Sequence, residues 1–185
     1  MNNQKNIKLI GKNIYLRPVR VSDATKEYVS WLNSPEINQY LEIRSARHTL
    51  KNVREYVEKA SQDKDLVFLA IVRKDSDKHI GNIKLGPINK HHKLAEIGIM
   101  IGDKNSWGRG YAGEAINLLT DFAFNKLKLH KVIAGAYENN IGSIKTFTKN
   151  GFVIEGVRKK HFFCNGKWVD DVLMAKFSEP QKHAF

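Results

Sequence analysis

The architecture of this chain follows from the sequence Asn105-Ser106-Trp107-Gly108-Arg109-Gly110-Tyr111-Ala112-Gly113-Glu114-Ala115. It comes after an apolar strand and begins an amphipathic helix, because apolar residues recur at helical spacing from Ala112 to Ala123. Its three glycines let the backbone turn and bring successive N–H groups close to an anion. The first turn of the helix adds unpaired N–H groups and the positive end of its dipole. We therefore predict a cradle for a pyrophosphate.

Two known phosphate loops and a plain turn compete with this interpretation. A Walker A loop requires Gly-Lys followed by Ser or Thr, which the sequence lacks here. The spacing from Gly108 to Gly113 matches a dinucleotide fingerprint, but the next strand begins near Lys131 and offers no acidic residue before Glu138. A glycine-rich turn that only starts a helix remains an alternative for the loop taken alone.

A second strand and helix follow the first. This helix begins at Asn139-Asn140-Ile141-Gly142-Ser143 and ends at Lys149-Asn150-Gly151-Phe152. Together with the segment from Trp107 to Ala112, these motifs resemble the Gcn5-related N-acetyltransferases (GNAT superfamily). Within it, the chain is most similar to the branch that contains ribosomal-protein N-terminal acetyltransferases and spermidine acetyltransferase. The resemblance spans residues 11 to 177 and implies acetyl transfer from acetyl-CoA, as cosubstrate, to a primary amine.

Length and composition indicate one domain. The chain has 185 residues and 42% apolar residues, enough for one sizeable core. We predict an N-acetyltransferase domain at 11–177, an N-terminal tail at 1–10 and a C-terminal tail at 178–185. Met1 to Asn6 are polar and no run of 18 apolar residues occurs, which predicts neither a signal peptide nor a membrane span. The single cysteine, Cys164, and histidines without zinc-site spacing predict a cytoplasmic protein without a metal.

The net charge of +12 suits a polyanionic partner. Basic residues cluster at 90–93, 126–131 and 158–161. Nucleic acid is disfavoured, because no reader motif accompanies the charge and the aromatic residues are not interleaved with it. A solvated basic surface remains an alternative, and the phosphates of coenzyme A are a more specific partner. The sequence leaves open a homodimer.

The first part of the chain predicts one strand and two helices before an irregular segment. The strand spans Asn13 to Val19, and Ser22 or Asp23 then caps a helix that runs to about Leu32. Ser34-Pro35 opens a short helical piece. The resemblance implies that the segment from Trp31 to Arg44 walls the acceptor pocket. Its candidate substrate contacts are Glu36, Glu42 and Arg44, each of which has a solvated surface charge as its alternative interpretation.

The remaining pattern predicts an α/β (α+β) domain, with a mixed, mostly antiparallel sheet of six or seven strands and helices on both faces. Thr49 caps a helix, and the further strands span 66–72, 79–85, 94–101, 131–137, 152–158 and 167–177. The strands Leu94–Ile101 and Lys131–Tyr137 are expected to be parallel, joined by the helix after the cradle in a right-handed crossover. The resemblance implies a V-shaped splay between these two central strands.

One carboxylate lies where the chemistry needs it. Alternation along the strand places Glu96, Gly98 and Met100 on one face. An alkyl amine with a pKa near 10 must lose a proton before it attacks, at a cost of about 4 kcal/mol at pH 7. We predict Glu96 as the general base, acting directly or through a water. An ordinary strand glutamate is the alternative.

The source of the proton for the leaving thiolate is less well defined. Many members of the family carry a tyrosine four residues after the motif serine, where this chain has Phe147. Tyr137 is the candidate catalytic acid, with a packed aromatic as the alternative. Cys164 is a weaker candidate, and the thiolate can also leave into solvent.

The resemblance assigns the cofactor contacts residue by residue. Trp107, where the family usually has glutamine or arginine, begins the pyrophosphate segment; the pantetheine side falls to Asn140 and Ser143, and the nucleotide phosphates to Lys149. Strand backbone would pair with the pantetheine amides, and a bulge at Gly98 would free one N–H for the thioester carbonyl. Caps for Asn140 and Ser143 and a surface role for Lys149 are the alternatives. The cofactor-binding set is Ile99, Met100, Ile101, Trp107, Gly108, Arg109, Gly110, Tyr111, Ala112, Gly113, Asn140, Ser143 and Lys149.

The acceptor stays open among a protein N-terminus, a polyamine and a nucleotide-linked amino sugar. The positive net charge opposes a polyamine unless Glu36, Glu42, Asp170 and Asp171 form an acidic pocket. The segment from Trp31 to Arg44 also resembles the acceptor side of amino-sugar acetyltransferases. Outside catalysis, a module that binds acyl-CoA without turnover is the alternative function, and a nucleic-acid-binding protein is a weaker third.

Overall fold

The computed structural model describes residues 7–179. The prediction of no signal peptide at Met1 to Asn6 and most of the predicted C-terminal tail lie outside these residues. The described strands and helices are β1 (Leu9–Ile10), β2 (Ile14–Pro18), α1 (Lys26–Asn33), α2 (Pro35–Asn38), α3 (Leu50–Gln62), β3 (Val67–Arg73), β4 (His79–Leu85), β5 (Leu94–Ile101), α4 (Tyr111–Asn125), β6 (Lys131–Tyr137), α5 (Ile141–Lys149), β7 (Val153–Cys164) and β8 (Lys167–Phe177). Short 3₁₀ turns lie at Val21–Asp23, Glu42–Ser45 and Lys104–Ser106.

The strands form one eight-stranded sheet in the order β1-β2-β3-β4-β5-β6-β8-β7. Neighbouring strands are antiparallel except β5 and β6, which are parallel as predicted. The fold class is confirmed, but the predicted number of six or seven strands is wrong. The additional strand, β1, is only two residues long and lies within the predicted tail 1–10, where so short a segment gives no alternation to detect.

Helices cover both faces of the sheet. α4 and α5 pack on one face and α1 and α3 on the other. The first core contains Ala115, Ile116, Leu119, Ala123 and Phe147 with apolar residues of most strands. The second contains Tyr28, Trp31, Leu32, Val53, Val57 and Ala60 against Phe68, Ala70 and Val72 of β3. Because α1 and α3 cover mainly the β3 side, the same face of β5 to β8 carries polar groups into an open space.

The predicted cap of the first helix is wrong. α1 begins at Lys26, and its cap is Thr25, whose side chain accepts a hydrogen bond from Tyr28 N at 3.2 Å. Asp23 forms an ion pair with Arg17 at 2.6 Å instead, and it accepts a 2.7 Å hydrogen bond from the backbone N–H of Arg20. The ion pair holds Asp23 in a 3₁₀ turn, and the helix begins only after this turn. Capping preferences alone do not reveal that Arg17 engages the Asp23 carboxylate instead.

Other predicted boundaries agree with the structure. Thr49 caps α3 and accepts a hydrogen bond from Asn52 N, while Pro35 occupies the first turn of α2. The hairpin between β7 and β8 turns at Asn165 and Gly166, which have φ values of 50° and 78°. Those two positive values fit the Asn-Gly turn that joins tightly paired strands. β7 lies at the edge of the sheet and is longer than predicted, because it continues beyond Arg158 to Cys164.

Candidate active site

The two parallel strands separate where the cleft opens. The ladder between β5 and β6 contains Leu94, Ala95 and Glu96, the last of which is opposite Ile133. Beyond Glu96, β5 stays paired with β4, and β6 stays paired with β8. The gap belongs to a cleft of about 1340 Å³. The splay implied by the resemblance is therefore present in the sheet.

The direction of the backbone groups on β5 is set by its pairing with β4. The carbonyl of Glu96 accepts a hydrogen bond from Gly86 N at 2.8 Å, on the β4 side. Because backbone groups alternate in direction along a strand, those of Ile99 and Ile101 face the gap. The carbonyl of Ile101 accepts a 2.8 Å hydrogen bond from the indole N–H of Trp107. Met100, by contrast, is paired with Asn82 of β4.

The predicted bulge at Gly98 is wrong. Gly98 pairs with Lys84 in an uninterrupted register from Gly81 to Leu85. A Cβ on Gly98 would lie 3.1 Å from Cε of Lys84, which is a tight contact. The glycine therefore gives the aliphatic stem of Lys84 room to cross β5, rather than freeing an N–H group.

The glycine loop has the conformation that the sequence predicts. Gly108 and Gly110 have φ values of 71° and 81°, and Gly110 is the N-cap residue of α4 without a capping side chain. No atom lies within 4 Å of a Cβ built on either residue, so the loop is open in front of the helix. Gly113 is different, because its Cβ would lie 2.8 Å from Nδ2 of Asn150 at the end of α5.

A buried aspartate holds the segment before the loop. Asp103 accepts hydrogen bonds from Ser106 Oγ at 2.5 Å and from Lys78 Nζ at 3.2 Å. Burial disfavours the charged carboxylate, but these two donors outweigh it and lower the pKa of Asp103 below its ordinary value. Asp103 thus remains ionised and fixes the start of the loop to β4.

The cleft gathers most of the predicted cofactor residues. Cleft-lining residues of that set are Ile99, Met100, Ile101, Trp107, Gly108, Gly110, Tyr111, Ala112, Gly113, Asn140, Ser143 and Lys149. Arg109 is exposed and is not one of the lining residues. The side chain of Asn140 accepts a hydrogen bond from Ser143 N at 3.2 Å, so it does cap α5.

Glu96 lies at the narrow end of the gap. Its side chain is exposed to the cleft, and it forms no hydrogen bond or ion pair with any residue in 7–179. The carboxylate is therefore available to accept a proton from a bound amine.

Tyr137 lines the cleft but its hydroxyl group is already engaged. It donates a short hydrogen bond to Glu42 and accepts one from Arg44 Nη1 at 2.6 Å. The ring stacks on Phe162 with a centroid distance of 4.0 Å. Burial and the carboxylate of Glu42 raise the pKa of Tyr137 to about 12. To act as an acid, the hydroxyl group would have to leave Glu42.

The predicted substrate contacts have partners in the protein. Glu36 forms an ion pair with Lys104, and Glu42 receives the Tyr137 hydroxyl, while both line the cleft. Arg44 is not among the lining residues, because its guanidinium points to Tyr137 and to the carbonyl of Phe163 at 2.9 Å. Arg44 thus ties the 3₁₀ turn Glu42–Ser45 to the β7 side of the cleft.

Phe147 and Cys164 contribute no exposed acid. Phe147 is buried and packs edge-on against Phe152 at 4.9 Å. Cys164 is buried beside Tyr137, outside the set of lining residues.

The cleft is also lined by polar residues outside the predicted site set, among them Asn82, Lys84 and Arg158, and by Asp171, which the sequence offered only for a conditional acidic pocket. Asn82 and Lys84 of β4 lie beside Glu96 on the same face, and Asp171 and Arg158 lie on the opposite wall. Asp171 is fully buried; its Oδ2 accepts a 2.8 Å bond from Arg158 Nε, while its Oδ1 has no partner. The alternation of Asn82 and Lys84 with Ile83 and Leu85 was the available signal, because it places two polar side chains on one face of a strand.

Neither a metal-ligand cluster nor a membrane-spanning helix is found within residues 7–179. No group of three or more His, Cys, Asp or Glu side chains is placed to hold a metal ion. In the same residues, no helix is long and apolar enough to cross a membrane.

Comparison with known proteins gives concordant results. The model of the acetyltransferase (GNAT) domain matches residues 13–153. The probable N-acetyltransferase YjcK of Bacillus subtilis is 32% identical over 177 residues, which are 90% of this chain and 95% of that protein. The spermidine N(1)-acetyltransferase of Vibrio cholerae is 35% identical over 100 residues, which are 54% of this chain and 57% of that protein.

A solved structure agrees over nearly the whole chain. The crystal structure of spermidine N-acetyltransferase from Vibrio cholerae in complex with CoA and spermine has a TM-score of 0.82 at 25% sequence identity. The match covers 91% of this chain and 97% of that chain.

Proposed function

Because the chain belongs to the Gcn5-related N-acetyltransferase (GNAT) family, we propose that it transfers an acetyl group from acetyl-CoA to a primary amine by direct attack in a ternary complex. The observation that carries the proposal is the cleft itself. It has a glycine cradle at one end and an unpaired carboxylate, Glu96, where β5 and β6 separate. The cradle can hold the pyrophosphate of the thioester, and Glu96 can take the proton of the amine. The two groups would thus act on opposite sides of the thioester carbon that the amine attacks.

The cradle fits the phosphates of coenzyme A. The space in front of Gly108 and Gly110 is open, and the first N–H groups of α4 point to it without a capping side chain. Lys149 at the end of α5 lines the same cleft and adds a positive charge. The CoA in the similar Vibrio cholerae structure supports this assignment. Acetyl-CoA, when bound, supplies the acetyl group as an activated thioester.

The open edge of β5 would align the pantetheine arm. The N–H and C=O groups of Ile99 face the gap, and so does the N–H of Ile101, whereas the Ile101 carbonyl is bound to Trp107. An extended ligand can pair with such an edge as a peptide does. We therefore place most of the backbone contacts on Ile99.

Glu96 acts as the general base in this proposal. Its carboxylate would take the proton from the amine, directly or through a water, and a positioned base contributes roughly a hundred- to ten-thousand-fold in rate. A proton can reach the leaving sulfur from the Tyr137 hydroxyl or from water. The first route requires Tyr137 to break its hydrogen bond to Glu42.

The acceptor classes are a protein N-terminus, a polyamine and a nucleotide-linked amino sugar. The test combines calorimetric titration of acetyl-CoA with a thiol-release screen over these classes. We expect micromolar binding, and turnover on one class. If acetyl-CoA fails to bind at all, the proposal is wrong.

A non-catalytic acyl-CoA-binding module is the second candidate, because Phe147 removes the usual acid of the family. It predicts that acetyl-CoA binds and that no amine in the screen releases thiol. Turnover on any amine rejects the module.

A further inference from the structure

We propose that the acceptor is an amine that also carries an anionic oxygen group, a phosphate or a carboxylate, which Asn82 and Lys84 bind on the β4 side of the cleft. This inference rests on the proposed function and narrows its acceptor. It is carried by the hydrogen-bonding groups that the acceptor face of the sheet leaves unpaired.

Asn82 is a buried donor without a partner. The residue is 5% exposed, lines the cleft and has no hydrogen bond at Nδ2. A buried amide donor that stays unpaired costs free energy, so it calls for a ligand or water. An oxygen atom of the acceptor would satisfy it.

The orientation of the Asn82 amide is fixed by His79. Nε2 of His79 lies 2.9 Å from the carbonyl of Gly81 and 3.0 Å from Oδ1 of Asn82. Because the carbonyl can only accept, Nε2 carries the hydrogen, and Oδ1 of Asn82 must be the acceptor beside it. The ring is held between Tyr28 and Trp31, and burial lowers the pKa of His79, which keeps it neutral. Nδ2 is therefore the amide atom left for a ligand.

Lys84 adds a positive charge two residues along β4. Its stem crosses β5 over Gly98, the position where a Cβ would lie 3.1 Å from Lys84 Cε. The ammonium group forms no ion pair or hydrogen bond with residues 7–179, although the side chain lines the cleft. The β4 side thus offers two donors and no free acceptor, which suits an oxyanion.

Most carboxylates of the cleft already pair with other residues of the protein. Five line it within the described residues, and four have partners in the protein: Glu36 with Lys104, Glu42 with Tyr137, Glu114 with Asn13 and Asp171 with Arg158. Asp170, the remaining member of the acidic pocket that a polyamine would need, pairs with Lys159 at 2.6 Å. Among the described residues, Glu96 is the one lining carboxylate without any partner, and the reaction itself uses it. Asp171 Oδ1 is also unpaired, but that carboxylate is already neutralised by Arg158 through Oδ2. A bound polycation would therefore be repelled by Lys84 and would have few free carboxylates to pair with.

The test compares matched amines that differ in an anionic group. The phosphate arm uses UDP-glucosamine against glucosamine, the carboxylate arm uses β-alanine against ethylamine, and spermidine represents the polyamines. We expect at least one amine with an anionic group to exceed both its partner without that group and spermidine in kcat/KM by about tenfold or more, as a charge-assisted hydrogen bond provides. Preference for spermidine, or for both partners without the anionic group, overturns the inference.

Two variants of Lys84 locate the effect. Lys84→Met keeps the stem over Gly98 and should remove most of the preference for amines with an anionic group, through KM. The kcat/KM of amines without that group should stay within about twofold. Lys84→Glu should move the preference towards spermidine. Lys64→Met removes one exposed surface charge outside the cleft and should change nothing. Equal losses of kcat/KM in Lys84→Met for amines with and without the anionic group would overturn the inference, because they indicate an effect on Glu96 alone.

Calorimetry separates the inference from the proposed function. The five amines are titrated into the CoA-bound wild-type protein and the Lys84→Met variant. Absence of thiol release with all five amines and with protein N-termini rejects the catalytic function, whereas anionic amines that bind equally to both proteins reject the Lys84 contact, whatever the turnover. Tighter binding of the anionic amines to the wild-type protein than to the Lys84→Met variant supports the contact with Lys84.

Discussion

The glycine cradle of the cleft is built from one continuous segment, whereas the proposed acceptor end is assembled from side chains of separate strands. Gly108, Gly110 and the first turn of α4 form the cradle from backbone groups. Glu96 comes from β5, Asn82 and Lys84 from β4, and Asp171 from β8. Binding at the cradle therefore depends on the conformation of the backbone. Binding at the acceptor end depends on which side-chain groups the fold leaves unpaired. Substitutions should consequently separate affinity for acetyl-CoA from turnover.

The largest expected effect is at the acceptor end. Glu96→Gln keeps the shape of the side chain but removes the base, so kcat at neutral pH should fall by roughly a hundred- to ten-thousand-fold. Affinity for acetyl-CoA should stay nearly unchanged in calorimetry. Glu58→Gln is the matched control, because that carboxylate is exposed and lies outside the cleft. An undiminished rate in Glu96→Gln would remove Glu96 from the mechanism.

The second largest effect is expected at the glycine cradle, where a substitution should lower affinity for acetyl-CoA. Gly110→Val places a branched side chain in the cradle at a φ of 81°, and acetyl-CoA affinity should fall by about a hundredfold. Gly166→Val is the control, since Gly166 has a φ of 78° in the β7–β8 turn and open space around it. It shares the backbone strain and should cost stability alone. If both variants bind acetyl-CoA normally, the phosphate lies elsewhere.

Tyr137 tests the boundary between the two ends. Tyr137→Phe keeps the ring that stacks on Phe162 and removes the hydroxyl bound to Glu42. We expect kcat to fall by less than about tenfold, because a thiol with a pKa near 8.5 leaves without a strong acid at neutral pH. Stopped-flow measurement of thiol release checks this, and a loss of a hundredfold or more would establish Tyr137 as the acid.

The smallest effect is expected at the cap of α5. Asn140→Ala removes the acceptor for Ser143 N, and the free energy of unfolding should fall by about 1 kcal/mol in denaturant titration. Asn140→Asp keeps an oxygen acceptor and should restore most of that stability. If acetyl-CoA affinity falls much more than stability in Asn140→Ala, the side chain contacts the pantetheine as well as the helix.

The same contrast explains how far the sequence could be interpreted. The glycine loop, the parallel strands and the cap at Thr49 follow from local patterns, and the structure has them where they were predicted. The cap at Asn140 was only the alternative interpretation of that residue, and the structure shows it. Residues in the pairs Tyr137–Glu42 and Tyr137–Arg44 meet through the fold, from 95 and 93 positions apart. No local rule reveals such partners.

Asn82, Lys84 and Gly98 show the limit at single residues. The alternation on β4 predicted a strand but not that His79 would occupy one end of the Asn82 amide. Gly98 was interpreted as a bulge, although its lack of a side chain makes room for Lys84. The use of a glycine depends on the neighbouring strand, which spacing along one strand cannot supply.

The edge strand β7 carries both a risk of aggregation and the features that limit it. β7 pairs with β8 alone among the described strands, and it exposes Val153, Ile154 and Val157. An open apolar edge is a template for aggregation, but the basic run Arg158–His161 and a register shift between Arg158 and Phe162 interrupt it. Much of the protection is electrostatic repulsion between molecules, which salt screens. Concentrated stocks should therefore stay clear longest in buffers of low ionic strength.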